Sequence, residues 1–454
     1  LEKEVAVDPE MLGKIFENLL DVSDRKSKGA FYTPREIVHY MCQESLINYL
    51  DNAVNDATDS YQALDTDQLG LFEGAANKKG QTKIEIQHKG KVLVPKEDIE
   101  RFVHKGFLAT ENDLVILEKG KETSTYRFQL PEAVRTNADI LDEKLTNIKI
   151  CDPAIGSGAF PVGLLHELVT AQKVLLPHLS ESYLNKKLQK IDLDKSDFKK
   201  DPSKYIYRVK RHAIQESIYG VDIDASAIDI ARLRLWLSLI VDEEDFYSIE
   251  ALPNLDYKIV RGSSLIGLPD NAMKDLKTEA ELEQLKEAFF NETNETQKKA
   301  LRNKINTKIR QLLDSAEQFA GYKIDFDFKL FFSEVWHYKN GFDIVIGNPP
   351  YVFTRDVDFS DDFKRVINEN FMSKLESGKK SKANQAGKIN LFAIFILQGL
   401  FKTNKKGNIS FIVPNNILRT TSYDKIRKYL LKSSNLKSIV DLGSGVFKNV
   451  TAST

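Results

Sequence analysis

The stretch Ile148-Lys149-Ile150-Cys151-Asp152-Pro153-Ala154-Ile155-Gly156-Ser157-Gly158-Ala159-Phe160 decides the fold. A short apolar run stops at a carboxylate, passes through a turn with two spaced glycines and enters a helix. Glycine there allows a tight turn and a close approach of backbone to ligand. The third glycine of a dinucleotide-binding fingerprint is missing, because Pro161 follows Phe160. Taken alone, the stretch is only suggestive, with a plain strand–helix turn as the lesser reading.

Outward from it, further short apolar runs at 218–222, 257–260, 342–346, 409–413 and 438–442 join 148–151 as expected strands, with helical spacing between them. Strands interleaved with helices predict an α/β fold with a mostly parallel, doubly wound sheet. Two gaps exceed a plain crossover. One runs from Leu175 to Gln215. The other, 270–326, is rich in Lys and Glu with Leu276, Leu282, Leu285 and Phe289 at helical spacing, and reads as a helical insertion. Residues 1–60 read as a helical region. Within it Phe31-Tyr32-Thr33-Pro34-Arg35-Glu36 suggests Thr33 as N-cap, Pro34 as first helical residue, Glu36 as capping-box carboxylate and a helix to about Leu50. Residues 61–145 read as a small α+β insertion, with strands at 83–86 and 91–94 and a helix over 99–107. Residues 146–454 form the expected catalytic domain.

Composition bounds the function. The 454 residues are 42% hydrophobic and 29% charged, an ordinary globular mix long enough for about three domains. No apolar stretch is long enough to span a bilayer and no signal peptide opens the chain, so a cytoplasmic protein is expected. With 65 Lys+Arg against 66 Asp+Glu, the net charge of −1 argues against a polycation that coats nucleic acid. Cys42 and Cys151 make neither a disulfide framework nor a zinc set. His39, His166, His212 and His337 show no metal spacing, so no metal is expected. Leu1 at the start and an unfinished apolar alternation before Thr454 suggest a fragment of a longer polypeptide.

Three further places carry chemistry. In Tyr219-Gly220-Val221-Asp222-Ile223-Asp224, a carboxylate at a strand end can accept both ribose hydroxyls of an adenosyl group, though an isolated strand-end Asp has an equally bland reading. Asp224 reads as a helix N-cap. Phe342-Asp343-Ile344-Val345-Ile346-Gly347-Asn348-Pro349-Pro350-Tyr351 is strange as mere structure. Two prolines lock the backbone and keep their carbonyls out of any ladder. The Asn348 side-chain oxygen and the Pro349 carbonyl can then both accept hydrogens from one planar amine, with Tyr351 as a stacking face. Finally, residues 374–388 hold Lys374, Lys379, Lys380, Lys382 and Lys388 against Glu376 alone, either a DNA-facing loop or a solvated one.

The set FYTP (31–34), DPAIGSGAF (152–160), GVDID (220–224), NPPY (348–351) and GVFKNVTAS (445–453) resembles S-adenosylmethionine-dependent DNA adenine-N6 methyltransferases of restriction–modification systems. The likeness is greatest to type IIG and IIS enzymes, with the gamma order of motifs. It spans 10–50 and 147–454. The resemblance implies a Rossmann-like sheet acting on double-stranded DNA, with a fused or separate nuclease and a C-terminal target-recognition domain that this stretch lacks. Phe31 and Thr33 would line the methionine end of the cofactor. Asp152, Ala154, Gly156 and Gly158 would cradle it, Asp222 would hold the ribose and Ile223 would lie against the adenine. Asn348, Pro349, Pro350 and Tyr351 would take a flipped-out adenine, with Phe447 as second stacking face and Lys379, Lys380 and Lys382 on the DNA backbone. Ser263 stands where relatives place a carboxylate or Asn for the cofactor's amine. NPPY also occurs in methyltransferases of RNA guanine and protein glutamine, and a cofactor-binding DNA-recognition subunit without activity is a third reading.

Overall fold

The computed structural model describes residues 33–55, 92–111, 128–240, 253–268, 276–353, 360–375, 389–443 and 446. Five strands form its centre: β1 (Ile150–Asp152), β2 (Ile218–Asp222), β3 (Ile259–Arg261), β4 (Phe342–Gly347) and β5 (Thr403–Phe411). They pair in the order β3-β2-β1-β4-β5, and every pairing is parallel. The expected α/β doubly wound sheet is therefore present. From β1 the chain winds outward through β2 to β3, and it restarts on the other side with β4 and β5. The order reverses between β1 and β4, and in such sheets ligands bind in the crevice beyond the carboxyl ends at that point.

Helices cover both faces, so the inner strands read as continuous apolar runs; β4 is buried along its whole length. On one face Ile150, Ile344 and Ile346 pack with α1 (Arg35–Val54), α2 (Lys96–Lys105), α3 (Ala138–Thr146) and α4 (Ala159–Leu175). On the other, Cys151, Tyr219, Val221 and Val345 meet α8 (Leu276–Asn291) and α9 (Glu295–Ala320) through Leu282, Phe289, Ile305, Ile309 and Leu313. The remaining elements used below are α5 (Glu181–Lys190), α6 (Ser203–His212), α7 (Ala225–Ile240), α10 (Ser333–Lys339), α11 (Leu391–Lys402) and α12 (Asp424–Ser433). Away from the sheet, Lys187 of α5 and Asp142 of α3 form a buried pair at 2.5 Å that Gln172 of α4 completes.

Three local expectations change. Strand β5 starts six residues before the expected 409, because Thr403-Asn404-Lys405-Lys406 is a polar sheet edge without apolar alternation. Residues 438–442 form no strand; Ile439 and Val440 stay 54% and 48% exposed, since alternation makes a strand only where an edge accepts it. Residues 92–94 are turn and coil, with Asn55 Oδ1 accepting the backbone N–H groups of Leu93 and Val94 in place of a ladder. The expected strand at 83–86 lies outside the described residues.

Candidate active site

The turn after β1 is built by its own polar atoms. Asp152 is 1% exposed, and its Oδ1 accepts the Ala154 N–H at 3.0 Å. Burial pushes its carboxyl well above the usual range; the Ala154 N–H opposes this and the nearby Asp222 charge adds to it. Gly156 and Gly158 have φ of +51° and +84°, backbone positions that favour glycine. A Cβ on Gly158 would lie 3.1 Å from Ala231 of α7, whereas beside Gly156 the nearest atom is 4.0 Å away, in open space. The loop is stitched to β2 by Ile155 N–H donating to the Val221 carbonyl at 3.0 Å.

Asp222 closes the same loop from the end of β2. Its two oxygens accept the N–H groups of Gly156 and Asp224, each at 2.9 Å. Burial raises its pKa while those two backbone bonds pull it down. Beside it Ile223 is 66% exposed, a flat apolar face next to a carboxylate. Asp224 caps α7 by accepting the Ser226 N–H at 2.8 Å, as its position suggested. Ser263 is half-buried just beyond β3.

Two residues that sequence reasoning passed over hold this loop. Arg234 of α7 is 2% exposed, and its Nη1 donates to the Ser157 carbonyl at 2.8 Å. Its signal was an arginine one helical step beyond Ala231, on the buried stripe of Ile228, Ala231 and Leu235. Ser264 donates its hydroxyl to the Pro153 carbonyl at 2.5 Å, and Gln398 of α11 donates to the Ser264 carbonyl. Only the distance in sequence hid these contacts.

The NPPY segment leaves β4 beside the β1 turn. A Cβ on Gly347 would come within 2.6 Å of Asp152 Oδ1, so glycine is what lets the two strand ends meet. Asn348 Nδ2 donates to Thr33 Oγ1 at 3.2 Å, across 315 residues of sequence. Thr33 is thus no helix cap. Pro34 takes the capping position of α1 and its carbonyl accepts the Ile37 and Val38 N–H groups. Pro349 is buried and Pro350 half-buried. Tyr351 donates its hydroxyl to the Ile412 carbonyl at 3.0 Å and sets its ring edge-on to Phe392, 6.2 Å between centroids. Burial raises its phenol pKa, which keeps it a neutral donor. The structure therefore gathers Thr33, Asp152, Asn348 and Tyr351 at the β1/β4 crevice, with Gly156 and Asp222 on its β2 side. Phe31, Phe447, Lys379, Lys380 and Lys382 lie outside the described residues.

A crevice at the switch point of a parallel sheet, lined by a glycine turn and an Asn-Pro-Pro-Tyr strand end, defines a methyltransferase-type α/β protein. The chain belongs to the Eco57I restriction-modification methylase family, which matches residues 216–447. It is similar to RM.MjaORFECS2P of Methanocaldococcus jannaschii, named as a type II restriction enzyme and methyltransferase, at 23% identity over 98% of this chain and 37% of that one. RM.Eco57I of Escherichia coli, a type II restriction enzyme and methyltransferase, is 24% identical over 69% of this chain and 24% of its own length. The chain thus spans well under half of these two relatives. Among solved structures, the type IIL restriction-modification enzyme MmeI in complex with DNA aligns with a TM-score of 0.41 and 13% identity, over 94% of this chain and 36% of that one.

Proposed function

We propose that this chain is the modifying part of a restriction–modification enzyme and transfers a methyl group from S-adenosylmethionine to the N6 amine of adenine in double-stranded DNA. Residues 146–454 serve as its catalytic domain. The observation that supports the reading is the close approach of Gly347 to Asp152 where β4 and β1 end, with Asn348 next in the chain and bonded to Thr33.

The residues present fit the cofactor. Gly156 faces open space at a φ that favours glycine, Asp222 retains acceptor lone pairs beyond its two backbone bonds, and Ile223 offers an apolar face beside it. When bound, the sulfonium supplies an electrophilic methyl. The chain's part is positioning and polarisation. Asn348 Oδ1 and the Pro349 carbonyl accept the two hydrogens of the amine and hold its lone pair on the line of attack. A stacked adenine cannot reach them, so it leaves the duplex at a cost of a few kcal/mol. Stacking on Tyr351 returns roughly 1–3 kcal/mol, and Phe447 is the second face. Lys379, Lys380 and Lys382 meet backbone phosphates.

The test is methyl transfer from labelled S-adenosylmethionine to duplex DNA of mixed sequence, followed by digestion and identification of the nucleosides. N6-methyladenine that disappears with Asn348→Ala is the expected result. Label in cytosine, in RNA or in protein would overturn the assignment.

A further inference from the structure

We propose that the loop 412–423, which follows β5, holds the DNA backbone beside the nucleotide that is methylated. Arg419 takes a phosphate there, with the hydroxyls of Thr420, Thr421 and Ser422 around it. The proposal rests on the reading of this chain as a DNA methyltransferase with Tyr351 as the stacking face.

Both ends of the loop are tied to that ring. At its start, the Ile412 N–H donates to the Gly347 carbonyl at 3.2 Å, and the Ile412 carbonyl accepts the Tyr351 hydroxyl at 3.0 Å. At its end, Tyr423 is 1% exposed and packs on Phe392, with 5.4 Å between ring centroids. Phe392 in turn meets Tyr351 at 6.2 Å. The loop thus leaves and rejoins one aromatic cluster at the carboxyl edge of the sheet. It follows β5, on the opposite side of β4 from β1 and β2, which carry the glycine turn and Asp222. A base laid on Tyr351 brings its sugar and flanking phosphates with it, so the rim of that cluster is where backbone phosphate arrives.

Between those ties the backbone is held from beneath. Arg427 of α12 is 8% exposed, and its Nη1 donates to the carbonyls of Ile417 and Thr420, each at 2.8 Å. The Asn416 carbonyl accepts the N–H groups of Arg419 and Thr420 at 3.2 and 2.9 Å. The tip that results, 419–422, is exposed along its whole length. Among the described residues, the side chains of Arg419, Thr420, Thr421 and Ser422 have no partner. Arginine and hydroxyl side chains are the groups that phosphate oxygens recruit. Charge agrees with that partner. From 412 to 428 the sequence carries Arg419, Lys425, Arg427 and Lys428 against Asp424 alone, and Asp424 already pairs with Lys428 at 3.0 Å.

The experiment uses full-length protein and a duplex whose methylated adenine has been mapped by labelled transfer. It reads DNA affinity between about 50 and 200 mM salt, where each phosphate contact adds about 0.9 to the slope of log affinity against log salt. Arg419→Gln should lower affinity about three- to tenfold at the low-salt end and reduce the magnitude of that slope by about 1. Cofactor affinity and melting temperature should hold, and Arg419→Lys, which keeps the charge, should keep the slope. A neutral methylphosphonate on the 5′ or the 3′ side of the mapped adenine decides the location. At one of these positions it should weaken wild-type binding about as much as Arg419→Gln does. There it should weaken the variant less than about twofold, because the contact is already gone. An unchanged slope, or equal methylphosphonate penalties in wild type and variant at both positions, overturns the proposal. Absence of N6-methyladenine from the wild-type reaction would instead overturn the function proposed above.

Discussion

The two edges of the sheet treat charge in opposite ways. At the amino edge, Lys149, Glu216, Lys258, Lys286 and Glu334 converge around Tyr219. Lys258 lies 2.7 Å from Glu334 and 4.3 Å from the centre of the Tyr219 ring, and Lys149 lies 3.3 Å from Glu216. Burial pushes Lys149 and Lys286 down to about 8, against the pull of nearby glutamates. Burial also acts to raise Glu334, but Lys258 and Lys286 outweigh it and hold the carboxyl at about 2. At the carboxyl edge, burial pushes Asp152 and Asp222 up, and backbone N–H groups are what answer it. Among the described residues no lysine or arginine pairs with either. Charges matched by opposite charges are spent on holding the fold, while carboxylates resting on amides keep capacity for a polar ligand.

That contrast breaks most sharply at Glu334. Glu334→Ala leaves the half-buried Lys258 without its ion-pair partner and removes the carboxylate that favours the Lys286 charge, which should cost about 1–3 kcal/mol. Denaturant unfolding should show this loss, with cofactor affinity of the remaining folded protein unchanged. A loss below about 1 kcal/mol would mean that the amino-edge network is ornamental. Asn348→Ala is the mirror experiment. Methyl transfer should fall about 100- to 1000-fold, the scale for removing one oriented polar group from a reacting centre. The unfolding midpoint and cofactor affinity should hold. Equal losses in rate and affinity would remove Asn348 from the reacting centre.

What the sequence displayed of this contrast follows from where each partner lies. Strands β1, β2 and β4 were legible because both their faces are buried and leave continuous apolar runs. Gly156, Gly158, Asp222 and Asn348 were legible because backbone demands tie them to short motifs. The start of β5 was not, since a polar edge strand carries no pattern. Arg234, Ser264 and the Thr33–Asn348 bond were not legible either, because each joins residues 77, 111 or 315 positions apart. The amino-edge cluster was invisible for the same reason: each of its lysines and glutamates, taken alone, reads as a solvated charge.

Acid should expose the amino edge before the carboxyl edge. Burial holds His212 of α6 neutral, its pKa lowered to about 4 against the opposing pull of Glu216. The unfolded chain protonates this histidine near 6.5, so between about pH 6.5 and 4 the unfolded state binds the extra proton and stability falls. The loss should be on the order of 1–3 kcal/mol. Glu334 adds a second loss between about 4.5 and 2, as the unfolded carboxyl takes a proton that the folded one refuses. His212→Gln should flatten the upper window and leave the lower one. An unchanged slope between pH 6.5 and 4 in that variant would assign the acid sensitivity elsewhere.

The smallest effect separates the two parts of Tyr351. Its hydroxyl is bonded to the Ile412 carbonyl, a structural contact like those of the amino edge, whereas its ring lies edge-on to Phe392 beside Asn348. Tyr351→Phe keeps the ring and removes the bond, which should cost about 0.5–1.5 kcal/mol of stability. The transfer rate at saturating DNA should change no more than about threefold, because stacking needs only the aromatic face. A large drop in rate with stability intact would mean that the hydroxyl, and not the ring, acts on the substrate. The boundary between the two uses of polar groups would then run through this one side chain, closer to the reacting amine than the strand ends suggest.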